Sequence, residues 1–299
     1  MKKILLSLLT ISALLPASEF QYGSGTLNMN GGFLGLTETI GTDVTTYSLV
    51  ERHSNLFSSD FFYGYDVTWY DSKRLKQAEH SYNGMVDTVN NPLSNVTNSI
   101  KVPEIEHRLQ GLDANVRIGY DVIHQDDSNF LGLGVLLGLS IPWIDSFPNN
   151  SIPTLNKSDD SYFEDSKTEM MTYKIGPTVS FQKTLISDKL SFYGTGSLAF
   201  QTASIENSYA KSKFTVNGTF QEYNVGLYYT PFTKDYDLGW FTLSPRLYAT
   251  IGYKYTKWDL DEMIVDISGM ELSSTILNPL QTKFGMDSSI GYVGVGYSF

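Results

Sequence analysis

The chain has no cysteine in 299 residues. That excludes a disulfide framework and a thiolate metal site. It also lacks an excess of positive charge: 21 Lys and Arg stand against 32 Asp and Glu, a formal net charge of −11. Nucleic-acid binding runs on basic patches, so nucleic acid is not an expected partner. Beyond the first residues, long apolar runs are missing. The nearest, Phe130 to Ile144, is interrupted by Gly132, Gly134, Gly138, Ser140 and Pro142. A membrane-spanning helix needs ~20 consecutive, mostly apolar residues, so a helical inner-membrane protein is excluded. The histidines are only four, His53, His80, His107 and His124, and their spacing gives no support to a His-rich metal site.

The N-terminus reads as a secretory signal peptide. Met1-Lys2-Lys3 is a basic start, Ile4 to Leu15 an apolar core, and Pro16-Ala17-Ser18 a small-residue end. Cleavage is expected after Ala17 or Ser18, leaving residues 19–299 as one domain. Loss of Lys2 and Lys3 takes the formal charge from −11 to −13. No cysteine follows the apolar core, so a lipid-anchored lipoprotein is excluded.

What remains is rich in strand and turn formers, with 20 Tyr, 17 Phe and 25 Gly. Period-two alternation recurs in segments bounded by turn residues, and ten candidate strands result. In Trp240–Trp258, Leu243, Leu247, Ile251, Tyr253 and Tyr255 share one parity, while Thr242, Arg246, Thr250 and Lys254 hold the other. Leu112–Val122, Met171–Phe181 and Phe61–Trp69 repeat the pattern. Leu131–Trp143 opposes an apolar face to one bearing Gly132, Gly134 and Gly138, a bare face with room for bulky neighbours. Less regular strands are expected at Leu27–Leu36, Val44–Phe57, Leu190–Gln201, Phe214–Tyr229 and Leu280–Phe299. Within the fourth of these, apolar residues change parity between Phe220 and Tyr223. In the last they change between Met286 and Val293. A β-bulge is expected at each place.

The connections alternate in length. Short ones fall at Ser58–Asp60, Gln125–Ser128, Leu185–Asp188 and Thr233–Asp237. Long ones fall at Ser72–His107, Ile144–Thr168, Ile205–Ser212 and Asp259–Pro279, with a shorter member near Gly41. With the N-terminus in the periplasm, every short turn is periplasmic and every long loop is outside, as in bacterial membrane barrels of even strand number. The expected fold is all-β: a transmembrane, antiparallel, up-and-down barrel of ten strands, with eight or twelve as alternatives.

The chain ends Gly291-Tyr-Val-Gly-Val-Gly-Tyr-Ser-Phe299. Phe299, with Tyr297, Val295 and Val293 at alternating positions, resembles the terminal strand of Gram-negative outer-membrane barrels. The resemblance implies an outer-membrane location, outer-membrane lipid as surroundings, and the barrel assembly machinery as the reader of those four residues. It identifies a general class and no functional family.

Within that fold, Trp69, Trp143, Trp240, Tyr255 and Trp258 are expected to form membrane girdles, since their rings are amphipathic. Asp66, Asp113, Arg117, Asp121, Lys174, Arg246 and Lys254 are expected to line the lumen. Ten strands lie near the size at which a barrel is filled by its own side chains. The mixed charges then either pair across the interior or line a narrow path. A small porin-like pore for ions or solutes is the first expectation. A surface-loop adhesin or ligand-binding barrel with a plugged lumen is the alternative, with Ser72–His107 as its longest loop.

Enzyme function ranks below both. Omptin-type surface proteases share an Asp–His pair facing two acids, but no histidine here sits two residues after an aspartate, although Asp66 and Asp71 could supply acids. A phospholipase would need a Ser–His arrangement that no spacing announces. Asp259, Asp261, Glu262 and Asp266 lack the ligand spacing of a calcium loop. No catalytic residue, metal or cofactor is expected, and the oligomeric state has no signature.

Overall fold

The computed structural model describes residues 19–33, 36–55, 60–78, 80–83, 99–102, 104–123, 129–148, 166–186, 189–207, 213–237, 242–267, 270–271 and 284–297. Residues 1–18, where a signal peptide is expected, Trp240, His124 and Phe299 lie outside the described residues.

Ten long strands follow in order: β1 (Glu19–Phe33), β2 (Leu36–Asn55), β3 (Phe61–Ser72), β4 (Ile105–Asp121), β5 (Asn129–Pro148), β6 (Ser166–Ile186), β7 (Leu190–Asn207), β8 (Lys213–Tyr229), β9 (Leu247–Ile267) and β10 (Phe284–Tyr297). Each pairs antiparallel with its neighbour in sequence, and β10 returns to β1, from Glu19 opposite Gly296 to Gly31 opposite Phe284. The result is a closed up-and-down barrel with no free edge among its ten strands. Closure is what hydrocarbon demands, because an unpaired backbone group there costs several kcal/mol. Short strands extend the wall beyond it: Leu75–Gln77 pairs with β4, and Met270–Glu271 pairs with β9.

Both described termini lie at one end, the terminal end. The opposite end, here the loop end, carries the connections 34–35, 73–104, 149–165, 208–212 and 268–283. Two expected boundaries move. Gly41 lies inside β2 opposite Asn28, so the first hairpin turns at 34–35 instead of near Gly41. The connection before β9 runs over 230–246 at the terminal end, longer than the expected Thr233–Asp237 turn. Tyr236–Asp237 pairs there with Thr242–Leu243. Pro245, which has no N–H to give a ladder, sits inside a turn closed by Leu247 N–H donating to Ser244 O at 3.0 Å. The strand therefore starts at Leu247, and the expected start at Trp240 is too early.

The outer wall sorts by height. Val116, Ile118, Leu133, Val135, Leu137, Tyr173, Ile175, Ile251 and Val293 point outward and are exposed. Toward the loop end the outward positions on all ten strands become small or polar: Ser24, Thr45, Asp71, Gln110, Asp145, Glu169, Thr202, Gln221, Lys257 and Ser289. Just below this ring stand outward aromatics. Trp69 and Trp143 meet edge to face at 5.2 Å, and Tyr223 stacks on Tyr255 at 6.4 Å. Lower aromatics include Phe61 with Tyr120 and Phe181 with Phe192. An apolar band bounded by two aromatic girdles is the surface of a membrane barrel.

The two expected bulges are absent from the expected places. On β8, Val216, Phe220 and Glu222 are all buried inside while Tyr223, Val225 and Leu227 are outside. The strand keeps its parity across 220–223; its apolar residues change face because the upper lumen is itself apolar. Met286, Ile290 and Tyr292 on β10 repeat this. The irregularity between β8 and β9 lies instead at Asn217/Gly218, where Asp261 is the extra residue.

Leu137 lies midway along the apolar stretch of β5 and is 47% exposed. Leu137→Arg should destabilise the barrel by about 2–4 kcal/mol, whereas Gln221→Arg, above the girdle, should cost about 0–1 kcal/mol. Reversible urea unfolding in lipid vesicles measures both.

Candidate functional site

The lumen is filled by side chains from every strand, in layers. Near the terminal end, Arg52 crosses the interior from β2. Its guanidinium lies 4.1 Å from the Tyr193 ring centre on β7 and forms an ion pair with Glu19. Tyr193 and Tyr292 hydroxyls meet at 2.7 Å, and Tyr292 donates to Asn224 at 2.6 Å. Arg52 comes from an irregularity in β2, where Glu51 pairs with Tyr65 but Ser54 with Tyr63. Gly64 faces it, and a Cβ there would collide with the Arg52 carbonyl oxygen.

The next layer holds a charge network. Arg117 on β4 pairs with Asp66 on β3 at 2.6 Å and, across the lumen, with Glu222 on β8. Lys254 on β9 reaches the same two carboxylates at 3.0 and 3.1 Å. Lys174 on β6 pairs with Asp113 on β4. Asn115 donates to Asp66 at 3.1 Å and to Asp113 at 2.9 Å, joining the two groups. Three carboxylates and three cations thus neutralise one another in an interior where an unpaired charge would cost several kcal/mol. Gly138 makes the space: a Cβ there would stand 2.7 Å from Lys174 Cε. On the glycine face of β5, Lys174 lies against Gly138, while Phe62 and Phe130 take the space at Gly132.

The oxygens of Asp66, Asp113 and Glu222 lie within 4.8 Å of one another, close enough to hold a cation. Arg117, Lys174 and Lys254 already occupy that role, so the donor set does not fit a metal ion. Beside the network, toward the loop end, lies an apolar cluster that includes Leu27, Val44, Tyr70, Leu109, Leu136, Phe220, Trp258, Met286 and Ile290. Lys174 Nζ sits 4.1 Å from the Phe220 ring centre and ties the layers together. A cavity of about 40 Å³ runs beside these layers, lined by Gln21 and Tyr292 near the terminal end, Asp113 and Lys254 of the network, and Leu27 and Trp258 of the apolar layer.

The expected lumen residues divide. Asp66, Asp113, Arg117, Lys174 and Lys254 meet in the network. Asp121 is buried but accepts from the backbone N–H of Ile123 and Leu131 at 3.2 and 3.3 Å, organising a terminal-end turn. Arg246 is exposed in the turn before β9 and does not line the lumen. Among the girdle residues, Trp69, Trp143 and Tyr255 face outward. Trp258 does not: it is 3% exposed, packs on Phe220 at 5.5 Å and lies inside. Its parity matches Lys254, which is the physical reason. Val293, Val295 and Tyr297 are exposed along the outer wall of β10.

Glu222, Glu19 and Arg52 are absent from the expected set. A signal for Glu222 existed, since Tyr223, Val225 and Leu227 facing lipid oblige Glu222 to face inward. At the loop end, His107 and Ser146 share a hydrogen bond at 2.9 Å, and burial holds the imidazole below its ordinary pKa. Asp71 is bound bidentately by Arg108 at 2.9 and 2.6 Å. Glu106 beyond it is held below the usual carboxylate range by hydrogen bonds from Arg74 and Lys76.

No family model matches the chain, and no curated protein matches it. Among solved structures it is similar to the outer membrane protease OmpT from Escherichia coli, at 9% identity and TM-score 0.44, covering 94% of this chain and 96% of that one. It is similar to the translocator domain of the autotransporter NalP from Neisseria meningitidis, at 10% identity and TM-score 0.33, covering 100% and 95%. It is also similar to Ail, the attachment invasion locus protein of Yersinia pestis, at 11% identity and TM-score 0.27, covering 92% and 98%. Their activities differ and none transfers to this chain. Its own closed sheet, apolar band and aromatic girdles define the class: a transmembrane β-barrel of the outer-membrane type.

Glu222→Gln removes one of three anions and leaves Arg117 and Lys254 sharing Asp66. Loss of one partner of a buried pair costs about 3–5 kcal/mol, so this variant should unfold at markedly lower urea. Arg246→Gln, in the exposed turn, should change little.

Proposed function

We propose that this protein works as a binding or adhesive barrel that acts through its loop end, with a lumen that is structural. The observation that carries this reading is the Arg117–Glu222–Lys254–Asp66 lattice, which joins β3, β4, β8 and β9 across the interior. An apolar cluster lies beside it, toward the loop end. A conducting path needs continuous hydrated space, and the charges that would line it are engaged with one another. The small-pore reading rested on those same charges being available to a solute. It is the weaker of the two.

Support for the loop end comes from its construction. His80–Asn83 pairs with Ser99–Val102, and Leu75–Gln77 extends the wall against β4. Within the segment 73–104 these pairings add two short antiparallel ladders beyond Ser72. Long loops on a rigid scaffold are common carriers of binding. A protease reading finds less: Asp71 is engaged by Arg108, and His107 meets Ser146.

Conductance of the refolded barrel in a planar lipid bilayer tests the proposal. The expected result is a folded, silent protein, with openings appearing in an Arg117→Ala/Glu222→Ala variant that still folds. Stable, discrete openings of the wild type, with ion preference altered by Arg117→Gln, would return the pore reading to first place.

A further inference from the structure

A second site lies on the outside of the wall, independent of whether the lumen conducts. A groove of about 740 Å³ runs across β1 to β4 immediately above the loop-end girdle. Its floor is aromatic, from Tyr47 and Trp69, which sit opposite one another in the β2–β3 ladder. Its walls are polar: Thr45, Asp71, Arg108 and Gln110. Asp71 and Arg108 form a bidentate pair at 2.9 and 2.6 Å, and Lys73 pairs with Asp43 at 2.8 Å beside them. The groove opens sideways, away from the lumen.

Three features select the occupant. The charges are balanced, two carboxylates against two cations, so net charge does not select the occupant and the sugar hydroxyls are what the groove can read. Carboxylate, guanidinium, amide and hydroxyl groups alternate over a short span, and together they both donate to and accept from vicinal hydroxyls. Aromatic faces beneath them suit the apolar C–H face of a sugar ring. The height supplies the rest. With Tyr22, Tyr47 and Trp69 at the lipid boundary, the groove lies at headgroup level and faces the bilayer. We propose that it binds the sugar headgroup of an outer-leaflet glycolipid whose acyl chains lie on the apolar band below.

The test uses the full-length mature barrel, refolded in detergent micelles. The probe is lipopolysaccharide truncated to lipid A and inner-core sugars, followed by native mass spectrometry. Parallel arms use lipid A stripped of core sugars and the free core oligosaccharide. The variants are Gln110→Ala and Thr45→Trp, the second filling the groove, and Leu198→Ala on the opposite wall is a control. A heat-dependent gel shift verifies folding of each. The expected result is saturable binding of the truncated lipopolysaccharide, weakened about tenfold by either groove variant and unchanged by the control. Lipid A alone should bind equally weakly to all forms. Equal affinity of folded wild type and groove variants would overturn the site. Binding of lipid A alone as tightly as the sugar-bearing form, with no response to Thr45→Trp, would reduce it to acyl packing. Groove-dependent binding of the free oligosaccharide as tight as that of the lipid-linked form would overturn a membrane source for the ligand.

Discussion

Closure of the sheet is the constraint from which the other features descend. In hydrocarbon, each backbone donor and acceptor of the wall needs a partner in the wall, and the β1–β10 ladder supplies the last of them. Ten strands close into a narrow tube, near the size that side chains alone can fill. Narrowness has an electrostatic consequence. Asp66, Asp113 and Glu222 point into a space too small to hydrate them, and each must find a cation there. Arg117, Lys174 and Lys254 are those cations, and they reach from β4, β6 and β9. The network is thus a product of barrel diameter as much as of residue choice.

The same narrowness accounts for how much was readable from residue order. On β4, lipid fixes Val116, Ile118 and Tyr120 outward, so Asp113, Asn115 and Arg117 must face in. Five of the seven expected lumen residues reach the network by that logic. It fails where the lumen itself becomes apolar. Val216 and Phe220 face inward with Glu222, yet they resemble lipid-facing residues. An apparent switch of parity then hid Glu222 at the supposed irregularity. Trp258 failed in the same way. An aromatic near a strand end suggests a girdle, although the parity it shares with Lys254 already placed it inside. Arg52 sits at an irregularity of β2, where alternation carries no information. Strand ends were underestimated, as at Ser166 on β6 and Pro148 on β5, because beyond the bilayer neither face must be apolar and the period-two signal fades.

Surface chemistry follows a different rule from the lumen. Outside, no packing requirement forces Asp71, Arg108 and Gln110 to stand together above Trp69, since water would solvate each separately. Inside, the network charges Asp66, Asp113, Glu222, Arg117, Lys174 and Lys254 are accounted for by mutual neutralisation. Convergent polar groups over an aromatic floor at a lipid boundary therefore carry more functional information than the larger set of charges in the lumen, whose arrangement is already explained by burial.

The two inner layers also support each other. Leu27, Tyr70, Phe220 and Trp258 pack together on the loop side of the charges. A lower local dielectric strengthens attraction between paired charges and raises the cost of separating them. In return, Lys174 reaches up to the Phe220 ring and Ser140 meets the Trp258 indole at 3.4 Å, so the charged layer anchors the apolar one. Opening the lumen would require parting ion pairs and withdrawing aromatic side chains together, because either alone leaves the other unsatisfied. A barrel built this way couples the fit of its apolar cluster to the pairing of its buried charges, so that changing either should loosen the other.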